Sequence, residues 1–283
     1  GYGGKPIPPL ALFTGLRSTA ACLPSRLHLP FLNCGRSPMA DTPAAPPLPL
    51  FYKKIRALDR AQDANLKAHQ VPNFRFSATS NAIPLVTDEF PYAAGDYPIV
   101  FAPGPVPVPV AVVGLELDKN LMIDRTTNLW LNRSYIPAYV RRFPFILVED
   151  PESKQLVLCF EENVPQLSEK GELPLFADGE PADFTKRTLD FCMALRQQGE
   201  VTEAFVRALQ EKQLLQPGDV AVTLADGRKI SMDGFLTIDR QRFMALPSGV
   251  VADWHRREWL DLIHAHFQSA LRWQKLAEIA SVA

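Results

Sequence analysis

The spacing of apolar residues differs between the two halves of the chain. In the first half it is strand-like: apolar runs at 145–149 and 156–160 flank the turn-forming residues 150–154, a pattern that predicts a β-hairpin. We therefore expect the first half to be rich in antiparallel β-structure. Further short strands are predicted at 74–76, 99–101, 108–117 and 121–124.

After residue 165 the apolar residues recur at helical spacing. They predict one amphipathic helix over about 184–195 and a second over about 201–214, which Pro217 and Gly218 would close. Residues 220–238 predict a small β-hairpin unit, and a long final helix is predicted over about 253–279 with Asp253 as its N-cap. Strands followed by helices and a small hairpin favour an α+β fold over a doubly wound α/β fold.

The segment 135–145, YIPAYVRRFPF, has a short helix framed by two prolines. Pro137 suits the first turn of a helix. Pro144 would end the helix, because proline lacks the N–H donor and clashes with the preceding turn. The segment therefore predicts a rigid display of aromatic and cationic side chains.

Arg141 and Arg142 are the best candidates for a binding function. Successive helical residues point about 100° apart, so one arginine can face inward while the other reaches solvent. An unpaired buried charge is costly, so we expect the inward arginine to meet a carboxylate. Pairing within the fold and binding of an external carboxylate or phosphate both stay open. Trp130, Tyr135 and Tyr139 would wall such a site, although aromatic residues at this density also suit a core.

Composition and charge narrow the choice of function. The 283 residues are 47% hydrophobic and 22% charged, which is typical of a globular protein, and the net charge of −1 argues against a nucleic-acid binder. No stretch approaches the ~20 consecutive apolar residues of a membrane-spanning helix, which argues against a permease or channel. The four cysteines lack metal-ligand spacing, so we expect reduced thiols in a cytoplasmic protein: Cys22, Cys34, Cys159 and Cys192.

The first 50 residues are expected to be a disordered extension and linker. Residues 1–38 begin with glycine and lack periodicity before Met39, which suggests translation from too early a start; a signal peptide is the alternative. Residues 40–50 form a Pro/Ala linker. We expect residues 51–283 to form a single domain.

The histidines of the final helix do not share a face. On an ideal helix His264 and His266 point about 160° apart, and His255 faces away from His264, so a shared metal is not predicted. His266 lies on the apolar stripe and is predicted to be a core histidine. The chain has no nucleophile elbow and no phosphate-binding glycine loop. We therefore predict no catalytic residue, no metal and no cofactor.

Six collinear segments over about residues 50–278 resemble the SapC family of bacterial proteins. They are FPYAAGDYPIVF, GLELDKNLMID followed by Trp130, YIPAYVRRFPF, LPLFADGEPADFTKRTLDF, LADGRKISMDGFLTID and EWLDLIHAHFQSALRWQKL. The resemblance supplies no catalytic residue to carry over. It implies a link to a bacterial surface-layer locus, and to gene clusters that also encode outer-membrane nutrient receptors, cupin-like proteins and flavin halogenase-like proteins.

The resemblance and the residues together predict an accessory or binding protein without catalysis. The implied setting is surface-layer biogenesis or outer-membrane nutrient uptake, with a protein partner or a small anionic ligand. Relatives are often labelled peptide-transport permeases, but the sequence has no stretch long and apolar enough to span a membrane, so the label does not fit it. The alternative is an enzyme that works with a cofactor-bearing partner on a nutrient or peptide.

Overall fold

The computed structural model describes residues 48–131 and 133–282, so the predicted N-terminal extension and most of the linker lie outside the described residues. The α+β class is confirmed. The strands are β1 Ile55–Ala57, β2 Lys67–Ala68, β3 Ala82–Pro84, β4 Ile99–Ala102, β5 Val108–Val112, β6 Phe145–Glu149, β7 Leu156–Glu161, β8 Leu167–Ser168, β9 Leu173–Pro174, β10 Phe176–Ala177, β11 Glu180–Pro181, β12 Leu215–Thr223 and β13 Lys229–Ile238. The helices are α1 Phe90–Ala93, α2 Ala138–Arg141, α3 Asp183–Glu211, α4 Arg240–Met244, α5 Ser248–Arg256, α6 Trp259–Ser269 and α7 Arg272–Val282.

The main sheet has five antiparallel strands in the order β12-β13-β4-β5-β3. Strand β13 joins β4 at Leu236, opposite Phe101. The hairpin predicted at 220–238 is therefore present but longer, and it forms one edge of the main sheet rather than a separate unit. Pairing between strands so distant along the chain leaves no local sequence signal.

The largest core lies between this sheet and the helices. Phe101 of β4, Phe205 and Leu209 of α3, and Ile263 of α6 are all fully buried in it. Ser269 at the end of α6 ties helix to sheet, because its Oγ accepts a hydrogen bond from the backbone N–H of Ile99 at 2.9 Å. Burial of these apolar side chains supplies the main stabilisation of the fold.

A second sheet, in the order β1-β7-β6, contains the predicted hairpin. Residues 145–149 and 156–160 do pair as predicted. Alternation along the strands gives each face its own core: Phe145 and Phe160 cluster with Cys192 of α3, while Ile146 and Cys159 cluster with Tyr52. This sheet therefore fixes the chain that enters it from 135–144.

Two helix predictions were wrong in their boundaries. The helices predicted at 184–195 and 201–214 are one helix, α3, which runs through Gly199; a single glycine weakens a helix by only about 1 kcal/mol. Pro217 and Gly218 lie in strand β12 and do not close that helix. Strand β12 is at the edge of the main sheet, where a proline is tolerated because one side of the strand has no neighbouring strand to bond.

The single helix predicted at 253–279 is instead three helices, α5, α6 and α7. Asp253 lies inside α5, where it pairs with Arg257 at 2.9 Å, and is not an N-cap. Glu258 adopts a left-handed conformation with φ 59° between α5 and α6. That turn places the ring of Trp259 against Trp254 and Phe205, with centroids 5.7 Å away in both cases.

Two of the short strand predictions were also wrong. Residues 75–77 form a 3-10 turn, in which the backbone N–H of Ser77 donates to the carbonyl of Phe74 at 2.9 Å. Residues 121–124 are not a strand and have one bridge, between Ile123 and Trp130. Alternating polarity in such short segments does not separate a strand from a turn packed on a core.

Candidate binding surface

The helix predicted between the two prolines is α2, and the buried Glu89 fixes its start. The backbone N–H of Ala138 and the hydroxyl of Tyr135 donate to Glu89 Oε1 at 2.6 and 3.0 Å. The N–H of Val86 donates to Glu89 Oε2 at 2.9 Å. Glu89 is only 4% exposed, and this burial raises the pKa of its carboxyl group despite the three donors.

A second set of contacts anchors the chain just before α2. The backbone N–H of Tyr135 donates to Asp96 Oδ2 at 2.7 Å, and Lys275 Nζ of α7 lies 2.7 Å from Asp96 Oδ1. The hydroxyl of Tyr97 donates to the carbonyl oxygen of Tyr135. Both ends of the turn into α2 are therefore held by side chains of the 89–97 segment.

Arg141 is the arginine that reaches solvent. Its Nη2 donates to the hydroxyl of Tyr135 at 3.3 Å, and its Nε donates to the carbonyl of Ile136 at 3.0 Å. The guanidinium carbon lies 5.2 Å from the ring centroid of Phe191 on α3 and 5.8 Å from that of Tyr135. The ring of Tyr92, 66% exposed, stacks on Tyr135 with centroids 5.7 Å apart. We call Tyr92, Tyr135, Arg141 and Phe191 the aromatic–arginine surface.

Arg142 is the arginine that turns inward, but it does not meet a carboxylate as we expected. Its guanidinium carbon lies 4.2 Å from the ring centroid of Tyr139 and 5.6 Å from that of Tyr52. No carboxylate in the described part of the chain lies within salt-bridge distance of it, and its Nε is buried without a hydrogen-bond partner. Cation–π contact is the partner that the fold supplies, because aromatic residues surround this side of α2.

The structure thus divides the five predicted site residues into three places. Tyr135 and Arg141 meet on the aromatic–arginine surface, and Tyr139 and Arg142 meet on the inward side. Trp130 is a core residue whose Nε1 donates to the hydroxyl of Tyr97 at 2.9 Å. It contacts the Tyr97 hydroxyl, which in turn binds the carbonyl oxygen of Tyr135, and it does not line a binding site.

Sequence reasoning missed Glu89, Tyr92 and Phe191. Glu89 lies 46 positions before Tyr135, and Phe191 follows Arg141 by 50 positions in the sequence. Local pattern therefore gives no sign of either contact.

Other reactive side chains lie apart from this surface. His266 is confirmed as a core histidine: its Nε2 accepts from the N–H of Ile238 at 3.2 Å and lies 3.0 Å from Thr237 Oγ1. Burial lowers the pKa of His266 to about 4. Cys159 and Cys192 are free and buried, and burial raises the pKa of both thiols.

Within residues 48–131 and 133–282, no three His, Cys, Asp or Glu side chains are grouped as metal ligands. No helix in the same residues has the length and apolar character needed to cross a membrane. The chemistry that the described aromatic–arginine surface offers is recognition: a guanidinium with free donor capacity, close to the exposed ring of Tyr92 and the half-buried rings of Tyr135 and Phe191.

Comparison with known proteins points to one family. The family model of SapC matches residues 58–276. No curated protein and no solved structure matches the chain. Because the matched region covers most of the sequence, from before β2 to the first half of α7, the chain belongs to the SapC family.

Proposed function

We propose that this protein is an accessory protein without catalysis, and that its aromatic–arginine surface binds an anionic group of a small molecule or protein partner. The observation that carries the proposal is Arg141: it is exposed, held in place on both sides, and without a carboxylate within salt-bridge distance among the described residues. An exposed guanidinium that is held in place and has no carboxylate partner can bind a carboxylate or phosphate through two parallel hydrogen bonds.

Preorganisation supports binding. Glu89 and Asp96 fix the backbone on which Tyr135 and Arg141 stand, so little side-chain freedom remains to be lost when a ligand binds. The exposed ring of Tyr92 offers a flat apolar face directly beside the cation. A ligand that carries both an anion and an aromatic or apolar group would use both features.

The protonation states of neighbouring groups favour binding over acid–base catalysis. Burial and the adjacent Glu89 raise the pKa of Tyr135 to about 12, so its hydroxyl stays protonated near neutral pH. The Glu89 carboxylate is buried and already accepts three hydrogen bonds from the fold, two at Oε1 and one at Oε2. These groups are arranged to hold Arg141 in place.

The biological setting rests on the family resemblance. We place the protein in the cytoplasm, acting in surface-layer biogenesis or outer-membrane nutrient uptake, where an accessory protein would bind a partner or a nutrient-derived anion. This setting is compatible with the surface described above, since both partners and nutrients present carboxylates and phosphates.

A thermal-shift screen of the full chain against inorganic phosphate and a panel of mono- and dicarboxylates tests the proposal. We expect some of these anions to raise the melting temperature of the wild type and of Arg142→Lys, the matched control, but not of Arg141→Gln. Equal stabilisation of Arg141→Gln would contradict the assignment of Arg141. Stoichiometric bound iron in the purified protein, measured by elemental analysis, would contradict the non-catalytic function.

A further inference from the structure

A cleft lies between the C-terminal half of α3 and helix α5, and we call it the α3–α5 cleft. Its volume is about 540 Å³, within the range of about 300–1,000 Å³ that is common for small-molecule sites. Ala204, the first residue of α3 in its wall, is about 20 Å along the helix from Phe191 of the aromatic–arginine surface. The cleft is therefore a separate place in the molecule.

The uncharged part of the cleft wall is apolar. Trp254 and Trp259 are only 3% and 9% exposed, and their ring centroids lie 5.7 Å apart in an edge-to-face arrangement. The other uncharged members of the wall are Ala204, Ala208, Gly249 and Val250. A ligand with an apolar side chain would remove this wall from water, which is favourable in proportion to the apolar area covered.

Five charged residues also line the cleft, and three of them already have partners. Arg257 Nε lies 2.9 Å from Asp253 Oδ2, so these two lining residues pair with each other. The guanidinium carbon of Arg257 also lies 5.0 Å from the ring centroid of Trp259. Arg207 Nε donates to Glu203 Oε1 at 2.9 Å, one turn earlier on α3. These three charges are therefore compensated within the fold.

The remaining two charged residues of the wall are Glu211, the last residue of α3, and Lys212, its C-cap. Both are exposed, and within residues 48–131 and 133–282 neither side chain makes an ion pair or a hydrogen bond. They do not pair with each other, because consecutive residues at a helix end point in different directions. The cleft therefore offers one free carboxylate and one free ammonium group beside an apolar wall.

We propose that the α3–α5 cleft binds a free α-amino acid with an apolar side chain. The ammonium group of the ligand pairs with Glu211 and its carboxylate pairs with Lys212, while its side chain lies against Trp254 and Trp259. A small zwitterion is the class of ligand that fits, because a simple anion or a simple cation leaves one of the two charged side chains without a partner.

Isothermal titration calorimetry of the full chain with leucine, N-acetyl-leucine and leucinamide tests this ligand class. N-acetylation removes the positive charge of the amino acid and amidation removes its negative charge, and both keep the apolar side chain. Leucine is expected to bind at least about fivefold more tightly than either derivative, because each derivative lacks one charged partner. Equal binding of a derivative, or no binding of leucine up to its solubility limit, would overturn the proposal without any variant having to fold.

Two substitutions test the partner of each charge. Glu211→Gln should weaken leucine binding at least about fivefold and remove the preference for leucine over N-acetyl-leucine. Lys212→Gln should in the same way remove the preference for leucine over leucinamide. A loss of structure would instead weaken all three ligands together, and circular dichroism checks for it. Variants that keep both preferences would overturn the assignment of Glu211 and Lys212.

Glu200→Gln and Lys186→Gln are the matched controls, since both residues are exposed on α3 outside the cleft wall. Both variants should bind leucine as the wild type does. Leucine should also change the tryptophan fluorescence of the wild type, because Trp254 and Trp259 line the cleft. Heat of binding without a change in fluorescence would place the ligand elsewhere and overturn the proposal.

The titrations are repeated with Arg141→Gln to separate this site from the aromatic–arginine surface. Arg141 would bind the carboxylates of leucine and N-acetyl-leucine alike, so a preference for leucine is specific to the cleft. The preference should persist in Arg141→Gln even if no anion binds at the aromatic–arginine surface. Loss of the preference in Arg141→Gln would overturn the cleft as its site.

Discussion

Replacing Glu89 with alanine should destabilise the protein more than any exposed carboxylate replacement would. The side chain is 4% exposed and accepts hydrogen bonds from the N–H of Val86, the N–H of Ala138 and the hydroxyl of Tyr135. Alanine removes the acceptor for all three donors at once. The turn into α2 then has no group to satisfy its first buried N–H.

The magnitude follows from the burial of each donor. The N–H of Ala138 is buried, so losing its partner costs about 1–3 kcal/mol, whereas the partly buried N–H of Val86 and hydroxyl of Tyr135 cost about 0.5–1 kcal/mol each because water can reach them. The variant also no longer buries a carboxylate charge, and this offsets part of the loss; the same burial raises the pKa of Glu89. We expect a net loss of about 3 kcal/mol in the free energy of unfolding.

Urea denaturation followed by tryptophan fluorescence measures this change. The midpoint should fall while the m-value stays constant, because the unfolded surface is the same. Asp88→Ala is the matched control: its neighbour Asp88 is exposed, and the change should be within about 0.5 kcal/mol. A loss below about 1 kcal/mol for Glu89→Ala would refute the view that Glu89 holds α2 in place.

Four further substitutions, in three experiments, probe the core and the two arginines. Burial lowers the pKa of His266 from 6.5 to about 4 in the folded state, so the neutral imidazole contributes its full share of the free energy of unfolding above pH 6.5 and loses it as the pH falls towards 4. Between these pH values the wild type should lose about 3 kcal/mol more than His266→Gln. Urea unfolding at several pH values measures the difference. Gly114→Ala should lower the free energy of unfolding by about 3 kcal/mol or more, because a Cβ at Gly114 would lie 1.8 Å from the carbonyl oxygen of Lys119. A thermal-unfolding curve like that of the wild type would contradict this close approach. Arg142→Gln should lower the free energy of unfolding by about 1 kcal/mol, because it loses the contact with the Tyr139 ring. Arg141→Gln should lower it by less than about 0.5 kcal/mol. If urea unfolding shows Arg141→Gln to be the more destabilising change, the inward position of Arg142 is contradicted.

The paired arginines show how far sequence reasoning reached at the candidate site. Helical geometry alone predicts that adjacent residues face different environments, and the structure has Arg141 in solvent and Arg142 turned inward. What Arg142 meets could not be predicted, because Tyr52 comes from a segment 90 positions earlier. The buried carboxylate of this region, Glu89, binds the backbone at the start of α2 and has Arg141, not Arg142, as its cationic neighbour.

The final helices show the same division. Apolar spacing correctly predicts helix and the burial of His266, since both depend on neighbours three and four positions away. The break at Glu258 could not be predicted, because no glycine or proline marks it. It exists where Trp259 packs against Phe205 of α3, a contact between residues 54 positions apart.

The sequence by itself determined the α+β class, the 145–160 hairpin, the short helix between Pro137 and Pro144, and membership of the SapC family. Each of these depends on residues close in sequence or on motif order. Only the tertiary structure decided that Glu89, Tyr92 and Phe191 join Tyr135 and Arg141 in one surface, and that the β12–β13 hairpin joins the main sheet. Those contacts arise from burial of apolar area and from satisfying buried polar groups across distant segments, which local periodicity does not encode.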